Sequence, residues 1–60
     1  MFFRHAKKLH NEDEVTVKKT GLVTTVNSIV INKKEDGLHD ENFVLILCDD
    51  GKTYHHTEVR

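Results

Sequence analysis

Sixty residues and 7.0 kDa allow one domain with a thin core, since a chain this short buries only about 60% of its unfolded surface. That excludes a Rossmann unit, a TIM barrel or a second domain. At 37% hydrophobic and 32% charged residues, the chain is too apolar for a disordered tail. Its longest apolar run, Phe43 to Cys48, is far short of a membrane span. The start, Met1-Phe2-Phe3-Arg4-His5, lacks the apolar stretch of a signal peptide, so an intracellular, cytoplasmic protein is expected. The one cysteine, Cys48, excludes an internal disulfide and a cysteine-based zinc cluster.

The net charge of −1 is unevenly laid. Residues 1–34 hold seven Lys/Arg and three Asp/Glu, whereas residues 35–60 hold two and seven. The asymmetry gives a basic and an acidic face, or vanishes where strands from the two halves interleave, and the second is the expectation for so small a sheet.

In chain order, Phe2, Ala6 and Leu9 fall at helical spacing with Arg4, Lys7, Lys8 and His10 on the other sides. Residues 1–11 therefore read as a short N-terminal helix or arm, with Asn11 as its left-handed end. From Glu14 the pattern turns to β. Glu14 to Lys18 alternates with Val15 and Val17 on one side, and Lys19-Thr20-Gly21 is a turn in which Gly21 supplies positive φ. Leu22 to Asn32 is rich in β-branched residues, and its apolar phase slips between Val26 and Ile29. A bulge or bend near Asn27-Ser28 accounts for the slip. The polar stretch 33–42 reads as a long loop.

Phe43 to Asp49 reads as a buried-type strand, followed by Asp50-Gly51 and a return strand from Lys52 to His56. A two-residue type I′ turn at Asp50-Gly51 places Leu47 opposite Tyr54, Ile46 opposite His55 and Leu45 opposite His56. On that register Phe43, Leu45, Leu47 and Tyr54 share one face, and Val44, Ile46, Cys48, Thr53 and His55 share the other.

The whole chain is thus expected to be one mainly β domain over residues 1–60, its β part spanning 14–60. Val15-x-Val17, Gly21-x-Val23-x-x-Val26 and Ile29 resemble the opening of a small antiparallel SH3-like barrel of the KOW and Tudor kind. Phe43 to Leu47 with Asp50-Gly51-Lys52-Thr53-Tyr54 and Glu58-Val59 resemble its end. The resemblance implies four or five strands and a role in binding another macromolecule. The second glycine that a KOW motif usually carries, near Lys18, is absent.

Chemistry is sparse. The ligand-type residues include His5, His10, His39, His55, His56 and Cys48, but adjacent strand residues point to opposite faces, so His55 and His56 are not expected to share an ion. Cys48 and His55 are the one conceivable nucleophile and base, and nothing in the sequence lowers the thiol pKa. The three glycines are isolated and form no phosphate loop. No metal, cofactor or catalytic role is expected.

Association is the preferred class. The Phe43–Asp49 strand is apolar on both sides, so one face is core and the other needs a cover. Either the N-terminal arm (Phe2, Ala6, Leu9) lies over Val44 and Ile46 or a second chain does. Phe2, Leu9, Val44 and Ile46 are therefore the candidates for contact with a partner protein or a second copy in a homodimer that completes the cover. The alternative is a nucleic-acid site formed by Arg4, Lys7, Lys8, Lys18, Lys19, Lys33, Lys34 and Tyr54.

Overall fold

The computed structural model describes residues 1–33 and 42–60. A single helical turn, α1 (Phe3–Ala6), precedes β1 (Glu14–Thr16), β2 (Val23–Asn32), β3 (Phe43–Cys48) and β4 (Thr53–His55). A 3-10 turn (His56–Glu58) follows β4 directly. The strands form one antiparallel sheet in the order β1-β2-β3-β4. The protein is therefore mainly β.

The sheet is not closed among the described residues, so the mainly β class holds and the expected barrel is met only loosely. β1 and β4 have no ladder between them among the described residues. The chain's last residues take the place beside β1 instead. Val59 bridges Val17, Thr16 and Arg60 exchange two backbone hydrogen bonds of 2.9 Å, and Lys18 N donates to Glu58 O.

β2 changes phase where its sequence does. Its register with β3 shifts between Val26 and Ser28, so that Val26 before the bulge and Ile29 after it both reach the core. The bulged carbonyl of Asn27 accepts from the side-chain amide of Asn11 at 3.1 Å. This bond ties the N-terminal arm to the bend.

The short N-terminal helix is present, but Phe2 is not part of its buried stripe and Asn11 is not its left-handed end. The helix is one turn, with no side-chain cap at Phe2, because so short a segment gains too few hydrogen bonds to propagate alone. Ala6 has no accessible surface and Phe3 packs on the core, while Phe2 is 69% exposed. The left-handed residue is Glu12 (φ 76°) rather than Asn11.

The β3–β4 register is also one residue off the expected one: Leu47 faces Thr53, Ile46 faces Tyr54 and Leu45 faces His55. The loop holds three residues, with positive φ at Gly51 alone. Asp50 Oδ1 accepts from Lys52 N at 2.9 Å. That side-chain-held turn keeps Asp50 at negative φ and adds the residue that shifts the pairing.

The slip decides what is core. Val44, Ile46 and Cys48 point inward with Tyr54, joining Ala6, Val15, Val17, Val26 and Val59. Phe43, Leu45 and Leu47 lie half-buried on the outer face. The inner face of β3 is covered by the chain itself, by α1 and the 3-10 turn. Each fully buried Val or Ile side chain there contributes about 1.5–3 kcal/mol.

Candidate functional site

The unclosed side of the sheet leaves a groove of about 700 Å³ between the β1–β2 turn and β4. Val17, Leu22 and Tyr54 give it an apolar floor, and Lys18, Lys19 and Lys52 stand around it. Thr57 and Glu58 of the 3-10 turn close one end. A second hollow of about 550 Å³ shares Lys18 and Thr57 with the first and adds Met1, Phe2, His5 and Arg60.

Local geometry explains why the turn residues stand here. Gly21, at φ 75°, closes the β1–β2 turn and donates its N–H to Val17 O at 2.7 Å. Val17 N in turn donates to Leu22 O at 2.8 Å. Leu22 follows the inward parity of Val26, yet it lies beyond the sheet's cover and stays 47% exposed.

The opposite wall is held by hydrogen bonds. Tyr54 Oη donates to Asp50 Oδ2 at 2.8 Å, which raises the phenol's pKa, with burial adding to the shift. The Lys52 backbone N–H is the first cause that lowers the Asp50 carboxyl below its ordinary value. Glu58 Oε1 accepts from His55 N at 2.9 Å in a capping box that fixes the 3-10 turn. Glu58 is thus already engaged with backbone. Among the described residues Lys18, Lys19 and Lys52 make no salt-bridge contact, although the charge of Lys52 is near enough to Asp50 to help lower its carboxyl.

The structure separates most of the residues singled out by sequence. Val44 and Ile46 have no accessible surface, so they present no face to a partner. Leu9 packs partly buried against the core. Phe2 alone of that set is open, with the Arg4 guanidinium 5.5 Å from its ring centre. Of the basic set, Lys18 and Lys19 meet Tyr54 at the groove. Arg4, Lys7 and Lys8 belong to α1 and the turn after it, where Lys7 Nζ lies 5.8 Å from the Phe3 ring. Lys33 follows the far end of β2, roughly 30 Å of extended chain from Val23. Lys34, His39 and most of the 33–42 loop lie outside the described residues.

Leu22, Lys52 and Thr57 were not anticipated as site residues. Their convergence depends on the open seam, and the only trace in sequence is an apolar residue placed directly after a turn glycine.

Cys48 and His55, which the expected register put on one face, are also apart. Cys48 is buried on the inner face with Sγ directed at Ile46 O, 3.9 Å away. Burial first, then Asp50 and Asp49, push its thiol pKa up, away from nucleophilic character. His55 lies on the outer side, stacked on Phe43 at 5.6 Å. Its ring also stacks on His56 at 4.5 Å. The two do not diverge as strand neighbours do, because His56 begins the 3-10 turn. Among the described residues no three His, Cys, Asp or Glu side chains gather to hold a metal ion. No described helix is long and apolar enough to cross a membrane.

No protein-family model, curated protein or solved structure matches this chain.

Proposed function

We propose that the chain is a small non-enzymatic interaction module of the cytoplasm that binds a partner protein in the groove between the β1–β2 turn and β4. One observation carries this: the groove joins an exposed apolar side chain, Leu22, to three lysines outside salt-bridge contact, beside a wall fixed by hydrogen bonds. A concave apolar floor with a few polar groups at its margin is the usual build of a recognition site. The single thiol, Cys48, is free and buried, which suits a reducing compartment.

A nucleic-acid site has weaker support. Tyr54 is only 9% exposed, so its ring offers no open platform for base stacking. The remaining basic residues lie on other elements. A homodimer through Val44 and Ile46 has no surface to use.

Selection of displayed random peptides on the immobilised protein tests the proposal. Enriched peptides are expected to lose binding to Leu22→Ser and to keep it with Val30→Ser, a change on the outer face. Binders indifferent to Leu22→Ser would overturn it.

A further inference from the structure

We infer that the groove's ligand is an acidic peptide segment, in which carboxylates flank one apolar side chain. The assignment rests on the groove being a protein-binding site, and it adds the chemistry of the partner.

Charge complementarity carries the argument. Lys18 and Lys19 line the groove from the β1–β2 turn and Lys52 from the foot of β4, so the three lysines flank it from opposite walls. A ligand lying between them meets positive charge on both sides. Glu58, the one acid in the lining, is held by the His55 N–H and offsets only part of the charge, so three lysines against one carboxylate leave the groove net positive. Lys18 also faces the Met1 nitrogen closely enough to lower its pKa, behind the effect of burial. Like charges are therefore crowded at this end, and an incoming carboxylate relieves them.

The floor supplies the second half of the specificity. Val17 and Leu22 form an apolar base beside Tyr54. A side chain such as leucine removes water from that base, while flanking carboxylates reach the lysines. A phosphate backbone satisfies the lysines equally well but leaves Leu22 wet. For that reason an acidic peptide, rather than a nucleic acid, fits the whole groove.

Fluorescence anisotropy on the intact chain tests this with three labelled probes. One is a short peptide with a leucine between pairs of glutamates. The second is the same peptide with glutamines, and the third is a single-stranded oligouridylate. The glutamate peptide is expected to bind at least about tenfold more tightly than the glutamine peptide, since three lysines each add a modest rim attraction. The triple change Lys18→Glu, Lys19→Glu, Lys52→Glu is expected to remove that advantage, while Lys33→Glu leaves it intact. A thermal melt of each variant confirms folding, and the milder triple change to Gln gives the same ranking if charge is the cause. Equal binding of both peptides, lost only with Leu22→Ser, would overturn the acidic partner and leave the protein-binding groove standing. Lysine-dependent binding of the oligouridylate alone, or no binding by either peptide, would overturn both.

Discussion

The two hairpin turns use their polar residues in opposite ways. Each is closed by a glycine at positive φ, Gly21 at 75° and Gly51 at 82°, and each lies near the open side of the sheet. In the β3–β4 turn every acid is engaged: Asp49 accepts from the Thr25 hydroxyl, and Asp50 from Lys52 N and Tyr54 Oη. In the β1–β2 turn only the Thr20 hydroxyl bonds locally, accepting from Leu22 N at 3.3 Å. Lys18 and Lys19 bond to no side chain of opposite charge. One turn spends its chemistry on holding the fold, and the other presents it to solvent. Similar backbones thus serve different ends through their side chains.

The largest expected effect lies in the core that both turns border. Ile46 has no accessible surface and pairs with Tyr54, so Ile46→Ala is expected to cost about 2–5 kcal/mol in urea unfolding. A loss within experimental error would mean that the inner face of β3 is not the core.

Next come the glycines. A Cβ at Gly21 or Gly51 meets nothing within 4 Å, so each Gly→Ala change costs only the left-handed backbone, about 1–2 kcal/mol. The two losses should match. A much larger loss at one turn would show that the backbones, and not only the side chains, distinguish them.

Much of this was legible in the sequence, and the failures have physical causes. The phase slip between Val26 and Ile29 revealed the bulge because a bulge is the local way to keep both residues inward. Gly21 marked its turn because positive φ excludes most other residues. The β3–β4 register was missed because Asp50-Gly51 suits two turns that differ by one residue. The choice between them depends on hydrogen bonds from Lys52 N and Tyr54 Oη, which exist only once the hairpin has folded. That single step exchanged Val44 and Ile46, offered as a sticky face, for Phe43, Leu45 and Leu47. The groove was hidden for a further reason: it arises from a sheet that stops short of closure, and no run of residues encodes that.

A pH-dependent loss follows from the 3-10 turn. His56 is 7% exposed, and its Nδ1 accepts from Val44 N at 3.2 Å. The folded form therefore requires the neutral ring. Burial, then His55, the N-terminal amine and Lys18, lower its pKa. The unfolded chain, with an ordinary value near 6.5, binds the proton first. Stability is expected to be full above that value, to fall as pH drops toward the folded pKa, and to level off below it. Urea midpoints between about pH 8 and 5 measure this, and His56→Phe is expected to flatten the profile in that window. An unchanged slope would place the titration elsewhere.

The smallest stability effect belongs to the groove's lysines. Lys18→Gln, Lys19→Gln and Lys52→Gln are each expected to shift stability by no more than about 0.5 kcal/mol. Asp50→Asn, which weakens the acceptor of Lys52 N and Tyr54 Oη, is expected to lower the melting temperature more than any of the three. A lysine change that proves more damaging than Asp50→Asn would reverse the contrast between a structural turn and a presenting one.

The most direct measurement is an amide NMR titration of the intact chain with the leucine-centred glutamate peptide. Binding in the groove predicts the largest shift changes at Lys18 to Leu22, Lys52, Thr57 and Glu58. Changes centred instead on Val30, Leu45 and Leu47 of the outer face would contradict the account.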